Sequence, residues 1–398
     1  MNKKYIIACL LGTALQLNAL GQNVVSKGFA FAEKQTDVLL SATEQAKASG
    51  KKGVTPRTLS ANGDLLIVSA NDWCSGFFPG ELWYLYEYTH DKKWMELAKT
   101  YTTPIEGQKT NAGTHDMGFK VYCSVGNGYR LTKDQHYKDV IIEAAQTLST
   151  RFNPKVGSIK SWDNKMWKFP VIIDNMMNLE LLFEATKLSG DSSFYKIAVT
   201  HANTTMKNHF RPDYSSYHVV SYDPETGAVL KKQTHQGYAD ESAWARGQSW
   251  GLYGYTMCYR ESKNKAYLRQ AENIAKFILN NPNLPADLVP YWDFNAPGIP
   301  NEPRDASAAA IMASALYELS AYSENGKLYR SKADMIVKNL TEHYTAAPGA
   351  SQGFILLHST GSKPSNSEVD VPINYADYYY LEALLRQKRL ADKKPVVD

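Results

Sequence analysis

Along most of the chain apolar residues return every three or four positions, the spacing of helices that bury one face. The segments come in pairs, and the second of each pair starts alike. Asp91-x-x-Trp94-x-x-x-Ala98 recurs as Asp134-x-x-Tyr137, as Asp191-x-x-Phe194-x-x-x-Ala198 and as Asn264-x-x-Tyr267-x-x-x-Ala271. Asn325 with Tyr329 and Ala333 is a longer variant. Asp or Asn at such a place caps a helix N-terminus, and the aromatic one turn in packs inward beside a small residue. The periodic segments just before these starts cover residues 80–88, 117–131, 176–188, 242–260 and 306–322. They predict five helix–turn–helix units. Helices near 29–46 and 376–388 supply a sixth.

Six such hairpins close as an inner and an outer ring, an all-α (α/α)6 barrel; an open helical-repeat array is the alternative. Long, uneven insertions at 153–170, 211–239, 281–304 and 346–372 favour the barrel, with loops gathered over one mouth. Strand signals are confined to these loops, as around residues 218–221. No Pro/Gly-rich linker divides the chain, so residues 22–398 read as a single domain.

The first 21 residues read as a signal peptide: Lys3 and Lys4, an apolar run over 5–17, then Ala19-Leu20-Gly21 before Gln22. Cys9 sits inside the apolar run, a poor place for a lipid anchor, which favours a soluble, exported, periplasmic protein. No other stretch is long and apolar enough to span a membrane. Cleavage leaves Cys74, Cys123 and Cys258, with neither a disulfide framework nor metal-ligand spacing; they read as buried thiols. Composition is that of a globular protein, at 43% hydrophobic and 21% charged residues. A net charge of +4 with no basic block argues against nucleic acid and tolerates an acidic substrate. The 8 Trp and 26 Tyr suit either sugar binding or a large helical core.

Polar clusters fall at the starts of the expected inner helices and in the loops. They are Asn71-Asp72-Trp73, His115-Asp116, Asp174-Asn175 through Asn178, and His235-Gln236 running on to Trp244, Arg246 and Trp250. Asp116 and Asp174 each begin a helical pattern, and simple capping explains both on spacing alone. Asp174, however, lies between Val171-Ile172-Ile173 and Met176-Met177, and shielding from water raises a carboxyl pKa towards that of a general acid. Two converging carboxylates are usual equipment for cleaving sugars. Trp73, Trp162, Trp244 and Trp250 read singly as core and together as stacking platforms. Arg246 is either a surface residue with a packed stem or a bidentate fork for a carboxylate. His218 and His235 are loop histidines with no forced role. Zinc, phosphate-loop and serine-elbow patterns are absent from the sequence.

The sequence resembles the unsaturated glucuronyl hydrolases, glycoside hydrolase family 88. The resemblance runs through Trp73-Cys74-Ser75-Gly76-Phe77-Phe78-Pro79-Gly80, Thr114-His115-Asp116-Met117-Gly118-Phe119 and Ile173-Asp174-Asn175-Met176-Met177-Asn178-Leu179. It continues in Arg211-Pro212, Tyr217-His218, Gln236-Gly237-Tyr238, Trp244-Ala245-Arg246-Gly247-Gln248 and Tyr375-Ala376-Asp377-Tyr378-Tyr379. It implies an (α/α)6 barrel that hydrates the C4=C5 double bond left on a terminal uronic acid by polysaccharide lyases. By that resemblance Asp174 is the acid and then the base, and Asp116 is the second essential aspartate. Trp73, His115, Trp162, His218, Gln236, Trp244, Arg246 and Trp250 then bind substrate, with Arg246 and Gln236 on its carboxylate. Substrates would be unsaturated chondroitin, hyaluronan or heparin fragments, with no metal or organic cofactor. The run Ser362–Ser367 lies where members differ in handling sulfated sugars. Two rivals stay open: a related hydrolase of unsaturated galacturonyl groups from pectin, and a non-catalytic envelope sugar-binding protein.

Overall fold

The computed structural model describes the backbone of residues 3–397 and side chains from residue 24 onward, so of the expected leader at 1–21 only the backbone of residues 3–21, part of the first helix, is described. Twelve α-helices are present among them: α1 (Lys3–Ala48), α2 (Phe77–Thr89), α3 (Lys92–Glu106), α4 (Asn127–Thr132), α5 (Gln135–Ser149), α6 (Leu179–Ser189), α7 (Ser192–Asn208), α8 (Ala245–Ser262), α9 (Lys265–Leu279), α10 (Ala306–Ser320), α11 (Gly326–His343) and α12 (Asn374–Ala391). Four of the five expected caps form: the side chains of Asp91, Asp134, Asp191 and Asn264 each accept from the backbone N–H two residues on. Asn325 precedes α11 without a side-chain cap, because the extra residue there shifts its geometry.

Burial separates two rings. In α9 only a stripe is buried (Tyr267, Gln270, Ala271, Ile274, Ala275 and Ile278), as expected of an outer helix with one face in water. In contrast, α8, α10 and α12 are buried over almost their whole length, including polar Gln248, Ser249, Ser314 and Asp377. The inner segments touch in a closed order, α12 to α2, to residues 118–126 before α4, to α6, to α8, to α10 and back to α12. This closure makes an (α/α)6 barrel; the open array is excluded. No described helix is long and apolar enough to cross a membrane.

Two inner segments depart from the regular helices expected at 117–131 and 176–188. Gly118–Gly126 is a π-helix that runs into α4, and Ile173–Asn178 is a 3-10 turn that runs into α6. Side chains outside the helical ladder hold the π-segment. Asn178 Oδ1 accepts from Gly118 N at 2.8 Å and Phe119 N at 3.3 Å, Ser124 Oγ donates to Lys120 O, and Asn127 Nδ2 donates to Cys123 O. Such irregular turns concentrate at functional sites. Here Asp116 sits just ahead of the first and Asp174 lies within the second.

Strands decorate one mouth. β5 (Phe169–Ile172), β6 (Val219–Tyr222) and β7 (Val229–Gln233) form an antiparallel sheet, with Ile172 opposite Val219. A short pair, β3 (Phe152–Asn153) and β4 (Ser158–Ile159), lies beside it in sequence. The hairpin of β1 (Thr55–Leu59) and β2 (Leu65–Val68) corrects the expectation that strands stay within the four long insertions. Its turn holds Gly63 at φ 81°, a left-handed conformation that glycine tolerates.

At Gly76, just before α2, a Cβ would lie 2.1 Å from Lys120 O and 2.3 Å from Phe119 O. Gly76→Ala should therefore push the π-segment away, costing at least about 1–3 kcal/mol in a denaturant titration. It should lower turnover as well, because Asp116 sits just ahead of that segment.

Candidate active site

The starts of the inner segments gather at one mouth around a pocket of about 310 Å³. Trp73, His115, Asp116, Trp162, Asp174, Gln236 and Arg246 line it, all expected from sequence. Phe119, Ile172, His235 and three serines, Ser362, Ser365 and Ser367, complete the lining. His218, Trp244 and Trp250 correct the expectation that they line the pocket, because packing sets them directly behind its wall. Trp244 stacks at 4.5 Å on His218, and Trp250 packs at 5.2 Å against Phe119. Trp73, Phe119, Trp250 and Tyr379, with successive ring centroids 5.0–5.4 Å apart around Tyr375 and Phe119, form an aromatic floor.

Neither aspartate is a cap. The residues before the two irregular segments, Met117 and Ile172, make no side-chain cap, and neither carboxylate bonds to the N–H groups that follow. Asp116 Oδ2 instead accepts from Thr114 Oγ1 at 2.9 Å, and its Oδ1 stands 3.3 Å from His115 Nε2. Asp174 is 8% exposed, and its Oδ2 is buried with no hydrogen-bond partner, 3.7 Å from His218 Nε2. Burial pushes its pKa up to about 7; Arg246, its own backbone N–H and the Trp250 indole pull it down, and the charge of Asp116 pushes it up. Asp377 is also raised by burial to about 7, yet its oxygens are taken by Ile355 N and Leu356 N inside the protein. A raised pKa marks an acid only where the group meets a pocket.

Arg246 differs from the free fork that the sequence suggested. Its Nη1 donates to Asp305 Oδ2 at 2.8 Å and Thr360 O at 2.6 Å, and its Nη2 to Gly361 O at 2.6 Å. Gln236 Nε2 also donates to Gly361 O, at 3.1 Å. Both candidates for a substrate carboxylate thus hold the backbone of residues 359–371. That arm is pinched by bridges between Ser359 and Val371 and between Ser362 and Ser367. Arg57, bound to Asp72 and through two bonds to Glu368, latches its other side. Sequence reasoning missed Asp305 as the counterion, although Asp before an alanine-rich helix is a capping signal; its Oδ1 does accept from Ser307 N.

Around Asp174 the pocket leaves polar atoms unsatisfied: His115 Nε2, His218 Nε2, Arg246 Nε and Trp250 Nε1 are all buried without a hydrogen-bond partner. Each such group costs about 1–3 kcal/mol, a cost concentrated around this one carboxyl. Burial depresses the pKa of His115, His218 and His235, which keeps the rings uncharged near neutrality. No three His, Cys, Asp or Glu side chains meet as a metal site among the described residues.

The family model for Glycosyl Hydrolase Family 88 matches residues 57–343. The chain belongs to this family. An unsaturated glucuronyl hydrolase of Formosa agariphila is 55% identical over 340 residues, covering 84% of this chain and 85% of that one. An unsaturated chondroitin disaccharide hydrolase of Streptococcus agalactiae is 34% identical, covering 85% and 86%. Among solved structures, an unsaturated glucuronyl hydrolase specific for heparin superposes with a TM-score of 0.86 at 47% identity, covering 92% of this chain and 99% of that one. The family membership and the geometry are independent grounds for an enzyme rather than a sugar-binding protein.

Two outcomes follow for this family 88 site. The raised pKa of Asp174 means that its acid form exists below about 7 and is lost as pH rises through that value. The kcat profile should fall about tenfold per pH unit above it if protonation by this group limits turnover. Arg246→Ala strands the buried Asp305, so it should destabilise by about 3–5 kcal/mol in a denaturant titration, rather than only raise KM.

Proposed function

We propose that this chain hydrates the C4=C5 double bond of a terminal unsaturated uronic acid and thereby releases it from lyase-generated glycosaminoglycan fragments. The observation that carries the reading is Asp174: a buried carboxyl with a pKa of about 7, facing a polar pocket that also holds Asp116. An ordinary exposed aspartate would be ionised at neutral pH and could not donate.

Asp174 gives its proton to C4, and the alkene electrons form the new C–H bond. Positive charge at C5 is shared with the ring oxygen. The carboxylate so formed takes a proton from water as the oxygen adds to C5, and Asp174 is an acid again. The hemiketal then opens and releases the remaining sugar. Asp116, fixed by Thr114 and beside His115, offers an acceptor for ring hydroxyls, and its charge adds to the burial that raises the pKa of Asp174. Ser362, Ser365 and Ser367, on the latched arm, line the pocket and are the candidates to meet the part of the substrate beyond the terminal ring. The glycosaminoglycan class is favoured by relatives whose names specify chondroitin disaccharide and heparin. The basic, apolar N-terminal run supports export to the periplasm, where such fragments would be met.

Incubation with unsaturated chondroitin and heparin disaccharides should abolish the ultraviolet absorbance of the conjugated double bond. Persistent absorbance with these and with pectin-derived unsaturated disaccharides would reject the reading. Asp174→Asn should lower the rate by about 10²–10⁴-fold with the fold intact by circular dichroism.

A further inference from the structure

Behind Asp174 stands a histidine whose protonation pattern the backbone dictates. His218 Nδ1 receives two backbone N–H groups, those of His235 and Gln236, each at 3.1 Å. An N–H can only donate, so Nδ1 must offer a lone pair to both, and the ring hydrogen is forced onto Nε2. That nitrogen is buried, without a hydrogen-bond partner, and 3.7 Å from Asp174 Oδ2. The ring cannot turn to exchange its nitrogens: Trp244 lies against it at 4.5 Å, and Trp162 meets it edge-on at 6.0 Å.

We propose that His218 is a positioning residue for Asp174, locked by the His235–Gln236 turn as an Nε2–H donor aimed at the acid's inner oxygen. The proposal rests on the reading of Asp174 as the proton donor. An N–H facing Oδ2 leaves Oδ1 to carry the acid hydrogen. When that hydrogen moves to substrate, negative charge develops on the carboxyl, and the waiting N–H closes from 3.7 Å onto Oδ2. A hydrogen bond to a charged acceptor is stronger than one to a neutral acid, so His218 stabilises the product of proton transfer more than its start. With its only lone pair occupied by two donors, His218 is also debarred from acting as a base, so Asp174 must recover its own proton from water. Because His235 and Gln236 both line the pocket, the turn that recognises substrate is the turn that sets the donor.

The tautomer is readable without substrate. In protein labelled with 15N-histidine, two-dimensional long-range 1H–15N spectra at neutral pH should show His218 with Nδ1 bare and Nε2 protonated. The signal is assigned by its loss in His218→Gln. An Nδ1–H tautomer or a doubly protonated ring would overturn the proposal while leaving the hydration reading, judged by absorbance, untouched. In kinetics His218→Gln, whose amide places an N–H near the Nε2 position, should keep kcat within about tenfold. His218→Met should lose about 10–100-fold in kcat with little change in KM, as expected for a bond formed only as charge develops. Equal kcat values for the Gln and Met variants would remove His218 from this role.

Discussion

Everything at the mouth of this barrel follows from holding one carboxyl, Asp174, out of water without giving it a full partner. Water would solvate its anion and lower its pKa; a close salt bridge would do the same more strongly. The fold avoids both. Ile172, Ile173 and the aromatic floor exclude solvent, and the cation whose field reaches it, Arg246, is already committed to Asp305 and two carbonyls. What remains of the Arg246 field lowers the pKa of Asp174, and the charge of Asp116 opposes it. The resulting value near 7 is a balance among neighbours and is therefore sensitive to each.

The same arginine links Asp174 to the serine-bearing arm. By gripping Thr360 O and Gly361 O it sets the root of the serine-bearing arm, and the Arg57–Glu368 pair fixes its returning side. A buried pair such as Arg246–Asp305 contributes little net stability compared with apolar packing, but it fixes geometry well. The arm thus holds its three pocket-lining serines on a fixed backbone.

The helical hairpins were legible because their signals are local: an Asx cap, an aromatic one turn in and a small residue after it. Asp91, Asp134, Asp191 and Asn264 behaved accordingly. The inner ring was legible only as apolar periodicity, which cannot distinguish an α-helix from the π-turn at 118–126 or the 3-10 turn at 173–178. The π-turn in particular meets partners distant in sequence, Asn178 and Gly76. For the site, Asp116, Asp174, His115, Trp73 and Gln236 were found from motif resemblance, and shielding of Asp174 from its apolar neighbours in sequence. The true partners of Arg246 lie 59 and 114–115 residues away, and no local pattern reveals such pairings. Capping was the wrong bland reading for both aspartates, since Asp116 stands ahead of the cap position of its turn and Asp174 lies inside its own.

The aromatic floor has one further consequence. Phe119 separates the mouth from a charge-lined chamber of about 110 Å³ at the opposite ends of the inner helices, where Arg260 and Arg386 are paired with Glu180, Glu261, Glu318 and Glu382. The entrance is therefore a cul-de-sac. A polymer cannot thread through it, so only a chain terminus can reach the bottom, and each freed monosaccharide must back out the way it came before the next terminus enters.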